Sequence, residues 1–193
     1  KEVFVGHDFN FGKEREGTFG NIQKMGEEFG FKVEVLDAVK INGGIVSSSF
    51  IRDLIADGQV SKAARYLGRP YSLAGKVIGG CEVGSAMGFP TANIEIHDKL
   101  IPHTGVYAVQ IVVQKKTFNG VANIGYNPTF KRNVLSIEVH IFDFTENLYD
   151  QTIRFSFIDK IRDEIAFSST EELKIQIQKD IKIAKEIIDG EID

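Results

Sequence analysis

The order of apolar and polar positions changes character about a third of the way along the chain. Lys1 to Val5 reads as a short apolar strand. Thr18 is placed to cap a helix running to about Phe29, with Ile22, Met25 and Phe29 on one face and Gly30 as its stop. Phe31 to Leu36 alternates as a strand does. Strand, helix, strand in this order predicts part of a parallel α/β unit. Asn42-Gly43-Gly44 is a turn, Ser47-Ser48-Ser49 opens a helix over Phe50 to Ile55, and Val60 to Leu67 is a second short helix ended by Gly68. Arg69-Pro70 breaks the pattern, which divides the chain into residues 1–69 and 70–193.

Beyond that break the texture is β. Tyr71 to Ile78, Gly105 to Val113, Thr117 to Ile124, Val134 to Phe144 and Gln151 to Phe157 read as strands, with Gly125 to Thr129 as a turn. Five or six antiparallel strands with short turns suggest a small closed barrel, because closure removes exposed edges. Thr170 to Ile188 is the clearest helix. Leu173, Ile177, Ile181, Ala184 and Ile188 form its apolar stripe, which Ile175, Ile183 and Ile187 broaden. The stripe reads as a face packed on the barrel.

Composition narrows the classes. With 193 residues, 42% hydrophobic and 26% charged, the chain fits one large or two small globular domains. A net charge of −4 gives no support for a nucleic-acid partner. Cys81 is the single cysteine, so no internal disulfide forms and a reducing, cytoplasmic setting fits. His7, His97, His103 and His140 lack metal-ligand spacing. No apolar run reaches membrane-span length, and no signal peptide is visible. The chain enters a strand directly at Lys1, without Met, which reads as a fragment.

Chemistry concentrates around Gly88-Phe89-Pro90-Thr91-Ala92-Asn93, approached through the Gly-rich stretch from Gly79 to Met87. Glycines let backbone come close to a ligand, and Pro90 stiffens the segment and biases Phe89 towards extended conformations. Thr91 and Asn93, two apart, share one face of an extended chain. A hydroxyl and an amide oxygen there suit Mg²⁺ and phosphate oxygens, or they bond local backbone in a tight loop entering a strand. From Ser136 to Phe144, Ser136, Glu138 and His140 share one face. Glu138 there is a water-facing strand carboxylate or a base. The serines at 47 to 49, with Arg52, are a helix cap or a phosphate site. Lys160 to Ser169 reads as a charged loop before the last helix.

Gly-Phe-Pro-Thr-Ala-Asn resembles the signature of riboflavin kinases, and the surrounding chain resembles the bacterial bifunctional riboflavin kinase/FMN adenylyltransferase family. The resemblance implies an α/β nucleotidyltransferase-like (Rossmann-like) remnant, then an antiparallel six-stranded β-barrel kinase domain with a C-terminal helix. It implies Mg²⁺ with ATP, riboflavin, FMN and FAD as substrates or products, and no nucleic-acid or membrane partner. Thr91 and Asn93 would hold the metal. Gly80, Gly84, Ser85, Gly88 and Pro90 would join them around ATP. Glu138, in Glu-x-His, matches the family's catalytic base, and His140 is a bystander. Arg162, Glu164 and Phe167 match a flap near the flavin.

In the first segment, Asp8 and Phe9 would lie near FMN, and Ser47, Ser48, Ser49 and Arg52 near ATP phosphates. The family's His-x-Gly-His motif is absent from the sequence, so adenylyl transfer by this chain alone is not expected. The Gly-rich loop carries no Arg or Lys between Gly80 and Gly88, leaving backbone N–H groups to cradle phosphates. The alternative is a flavin- or nucleotide-binding module without catalysis.

Overall fold

The computed structural model describes residues 1–6, 8–41, 43–79, 84, 87–127 and 134–190. The chain divides into two compact units, 1–47 and 48–193.

In the first unit, β1 (Glu2–Gly6) and β2 (Lys32–Leu36) pair in parallel, joined by α1 (Phe19–Phe29). This is the predicted strand–helix–strand order. The Asn21 side chain accepts a hydrogen bond from the Thr18 backbone N–H at 3.0 Å, closing the N-terminus of α1. Gly30 ends the helix at φ 72°, a left-handed conformation that glycine adopts without side-chain cost. A two-residue hairpin, β3 (Lys40–Ile41) with β4 (Gly44–Ile45), follows.

The second unit begins with α2 (Ser48–Ala56) and α3 (Val60–Leu67), which bury Leu54, Ile55 and Ala63 together. Gly58 in the turn between them has φ +77°. A Cβ there would come within 2.8 Å of the Tyr107 hydroxyl. That hydroxyl donates to the His103 carbonyl at 2.5 Å, and burial raises its pKa.

Six strands then close a barrel in the order β10-β5-β6-β9-β8-β7. They are β5 (Ser72–Ile78), β6 (Ala92–Glu95), β7 (Gly105–Val113), β8 (Lys116–Asn127), β9 (Val134–Ile141) and β10 (Thr152–Arg162). Every pairing among them is antiparallel. Alternation aims Leu73 and Val77 of β5, Tyr107, Val109 and Ile111 of β7, and Ile137 and Val139 of β9 into one interior core. A second core lies outside the wall. Val106 and Ala108 of β7, with Val121 of β8, pack there against Ala184 of α4 (Thr170–Asp189). Burial on both faces explains why β7 reads as an almost unbroken apolar run.

Several boundaries differ from the sequence reading. Ala92 to Glu95 is a barrel strand in its own right, absent from the strands read from the sequence. Gly125, Tyr126 and Asn127 continue β8, paired with Ser136, Leu135 and Val134, instead of turning. Strand β9 stops at Ile141 because the chain turns at Phe142-Asp143, Asp143 having φ 53°. Strand β10 continues through Arg162, beyond Phe157. Register shifts between Phe157 and Asp159 and between Lys160 and Arg162 interrupt the alternation that would have revealed it. On α4, Ile175 faces solvent at 54% exposure and does not broaden the buried stripe. Among the described residues no helix is long and apolar enough to cross a membrane.

Candidate active site

The site grows out of one rung of the barrel wall. Glu138 on β9 lies opposite Asn93 on β6 and opposite Asn123 on β8. Directly opposed residues share a face. The neighbours Ile94, Ala122 and Val139 occupy the barrel interior, so these three side chains stand on the outside. Thr91, one residue before β6, places its Oγ1 3.4 Å from Glu138 Oε2. Among the described residues neither asparagine side chain makes a hydrogen bond.

Outside this wall lies a cavity of about 390 Å³. Its apolar side comes from Val106, Val121, Ile165, Phe167, Leu173 and Ile177, and its polar side includes Thr91, Asn123, Glu138 and His140. A second cavity, of about 220 Å³, lies against Pro90, Thr91, Ala92 and the segment from Phe144 to Tyr149. Thr91 lines both, so the Pro90-Thr91-Ala92 segment partitions them. One space suits a large, mostly apolar ring system with a polar arm. The other is bounded by Thr91 and by the polar Thr145, Glu146 and Asn147.

The turn before β6 is tightened by Gly84, whose carbonyl accepts from Met87 N at 3.1 Å and Phe89 N at 2.8 Å. A Cβ on Gly84 would meet the Phe89 carbonyl at 2.5 Å. Gly88 has φ +89°, a conformation that favours glycine. Gly80 and Ser85 lie outside the described residues.

The far side of the larger cavity is organised by a buried carboxylate. Asp180 of α4 is 3% exposed. It accepts from Arg162 Nε at 3.0 and 3.1 Å, from Arg162 Nη2 at 2.7 Å and from Gln176 Nε2 at 2.8 Å. Arg162 Nη1 donates to the Asp163 carbonyl at 2.9 Å, and its guanidinium lies 5.8 Å from the Phe167 ring. Arg162 therefore ties the 163–167 segment to α4. Asp163 in turn is held below the usual carboxylate range by its bond to Lys160. Glu164 rests against Gly125, where a Cβ would fall 1.9 Å from Glu164 Oε1. The glycine leaves the space that the carboxylate fills.

The fold thus gathers Gly84, Thr91, Glu138, Arg162, Glu164 and Phe167 around one cavity, with Asn93 on the same rung as Glu138. The cavity is also lined by His140, which the sequence reading set aside as a bystander, and by Asn123 and Asp180, which it did not single out. Asp180 carried a signal, being a charged residue within the apolar stripe of α4. Asn123 did not, because its place opposite Glu138 depends on the β8–β9 register.

A family model described as riboflavin kinase matches residues 67–188. The chain belongs to the riboflavin kinase family. A second model, described as FAD synthetase, matches residues 1–50, so a riboflavin kinase segment follows an FAD-synthetase-like one. The bifunctional riboflavin kinase/FMN adenylyltransferase of Haemophilus influenzae is 42% identical over 186 residues, covering 96% of this chain and 60% of its own. That of Escherichia coli K12 is 40% identical over 187 residues, with the same two coverages. This chain thus spans about 60% of the length of these relatives.

A solved structure described as a macrolide-efflux protein from Streptococcus pneumoniae superposes with a TM-score of 0.83 at 32% identity, over 94% of this chain and 60% of that one. Its description is at odds with the family matches. The family matches decide here, since they cover the barrel and its Pro-Thr-Ala-Asn segment directly.

In the first unit, Phe9 N donates to the Gly6 carbonyl at 3.0 Å, and Phe9 stacks on Phe11 at 5.7 Å. This tight turn carries Asp8. Ser47 closes the first unit, whereas Ser48, Ser49 and Arg52 belong to α2 of the second.

Proposed function

We propose that the chain phosphorylates riboflavin, transferring the γ-phosphate of ATP to the ribityl 5′-hydroxyl to give FMN and ADP. The observation that carries this reading is the meeting of two cavities at Thr91, whose hydroxyl lies 3.4 Å from Glu138 Oε2 in the larger one. The isoalloxazine ring takes the larger, apolar cavity and points its ribityl arm at Glu138. The nucleotide takes the smaller one, with its phosphates towards Thr91 and Asn93.

The donor set fits Mg²⁺. The Thr91 hydroxyl and the Asn93 amide oxygen are hard oxygen donors at the start of β6, and the asparagine amide is uncommitted among the described residues. Among the described residues no His/Cys/Asp/Glu cluster forms a closed cage. A metal held by few protein oxygens and completed by phosphates and water is the usual Mg²⁺ arrangement. When bound, Mg²⁺ supplies neutralisation of the charge on the β- and γ-phosphates.

The chain's own groups do the rest. Glu138 accepts the 5′-hydroxyl proton as that oxygen bonds to the γ-phosphorus and the β–γ bridging bond breaks. Thr91 and Asn93 fix the phosphates in line with the attacking oxygen. Phe167 and Ile165 cover the flavin and exclude water, so that transfer to riboflavin outruns hydrolysis.

The first segment, with Asp8, Phe9, Ser47, Ser48, Ser49 and Arg52, we assign to the FMN-adenylylating half of the same family. We place the domain boundary at 69/70 and the enzyme in the cytoplasm.

The test is incubation with riboflavin, ATP and Mg²⁺, followed by chromatographic separation of the flavins. FMN is the expected product, and any FAD reports on the first segment. Glu138→Gln should lower turnover by about 100-fold or more, the contribution of a positioned base. Riboflavin retained without FMN refutes the reading in favour of a binding module, and a Glu138→Gln protein with parental turnover removes Glu138 from the mechanism.

A further inference from the structure

His140 stands two residues beyond Glu138 on the same face of β9 and lines the flavin-side cavity. Its Nδ1 lies 2.8 Å from the carbonyl oxygen of Pro90. A carbonyl can only accept, so the proton of this bond sits on Nδ1. The ring is held in place by two aromatic neighbours. Phe89 meets it edge-on at 5.9 Å and 88°, and Phe142 lies 5.7 Å away.

The partner matters more than the bond itself. Pro90 has no N–H, so its carbonyl is the handle through which a neighbour can grip its backbone. The Pro90–Thr91 peptide is planar, so fixing the Pro90 oxygen fixes the plane from which Thr91 departs. On the other side Thr91 is bounded by Ala92, which β6 pairs with Val139. The side chain of Thr91 is stiff at χ1. Between a pinned peptide plane and a paired strand, Thr91 Oγ1 has little freedom. The segment so fixed is the partition between the two cavities.

We infer that His140 is a positioning residue that anchors the Pro90-Thr91 partition from the flavin side, holding the phosphate- and metal-facing oxygens in register with Glu138. This deepens the kinase reading and rests on it for its kinetic consequence. The anchoring itself is a property of the ligand-free protein.

The test compares His140→Ala, His140→Asn, whose amide N–H₂ can occupy the Nδ1 position, and His140→Gln, whose amide reaches further out. Three readouts are taken on the full chain. They are riboflavin affinity by flavin fluorescence, steady-state kinetics in Mg·ATP, and hydrogen exchange of the peptide spanning residues 87–95 without ligands. His140→Ala should raise the KM for Mg·ATP about tenfold, the scale of one lost hydrogen bond, with riboflavin affinity changed less than about twofold. Exchange over 87–95 should rise with it. His140→Asn should recover most of both effects and His140→Gln little.

Equal losses in riboflavin and Mg·ATP affinity, or Asn performing no better than Gln, would overturn the proposal. So would unchanged exchange in His140→Ala. If His140→Ala does not fold, the Asn and Gln pair decides. If the parent protein makes no FMN, the kinase reading fails, and the exchange comparison alone upholds or overturns the anchor.

Discussion

Replacing Asp180 by Asn removes one charge from a buried cluster at almost constant volume. Three hydrogen bonds from Arg162 and one from Gln176 converge on its two oxygens. An asparagine must turn its N–H₂ towards one of those oxygen positions, so at least one donor then faces another donor. The Arg162 side chain is 19% exposed and that of Asp180 4%, so water reaches the stranded guanidinium only in part. Breaking such a pair by removing one partner costs about 3–5 kcal/mol, and the partial access of Arg162 to the cavity points to the lower end, about 3 kcal/mol. For a chain of this size that corresponds to a fall of about 6–12 °C in Tm.

The assay is thermal unfolding followed in the near-ultraviolet, where Tyr107 inside the barrel reports on the second unit. Riboflavin affinity is measured alongside, because Arg162 links α4 to the segment bearing Glu164 and Phe167. Asp180→Asn should lose both. The double variant Arg162→Met with Asp180→Leu should regain most of the stability, since an apolar pair removes the stranded charge, yet keep weakened flavin binding. A Tm within about 2 °C of the parent in Asp180→Asn would refute the account, since it would leave less than about 1 kcal/mol for the pair. So would losses in the two single variants that simply add, which would show that the pair is not coupled.

Gly125→Ala should leave stability within about 1 kcal/mol, because only the end of a flexible side chain is in the way. It should nevertheless displace Glu164 and weaken riboflavin binding; unchanged affinity on fluorescence titration would exclude Glu164 from the flavin site. Asn93→Ala should raise the KM for Mg·ATP by roughly tenfold or more with a smaller effect on riboflavin, and equal losses would count against its metal role. Glu172 is held below its ordinary value of 4.5, chiefly by the Ser168 hydroxyl and then the Ser168 N–H. The stabilisation is therefore complete above about pH 4.5 and is lost as the pH falls through the lowered value. The protection of amides at the start of α4, taken relative to intrinsic exchange at each pH, should fall in acid for the parent, while Glu172→Gln should show a flat protection profile over that range.

Local rules went a long way in this chain. The α1 boundaries, the stops at Gly30 and Gly68, the full extent of β7 and the start of α4 follow from period, capping and turn chemistry. These are governed by neighbours within a few residues. The Pro-Thr-Ala-Asn segment and Glu138 stood out through the resemblance to riboflavin kinases, since their residue types alone fit a local loop and a water-facing carboxylate as well.

Partners far apart in sequence were another matter. That Glu138 faces Asn93 and Asn123 depends on the register of three strands, and a slip of one residue would turn each side chain to the other face. That Arg162 lies on a strand, and grips Asp180 instead of standing free, depends on two bulges and on where α4 docks. That Gly125 is a paired strand residue rather than a turn depends on β9 supplying its hydrogen bonds and on Glu164 taking the vacant space. The sequence by itself determined most of the helices and strands and which residue types could do chemistry. The tertiary structure alone decided which of them meet, because barrel closure brings together side chains that no local pattern relates.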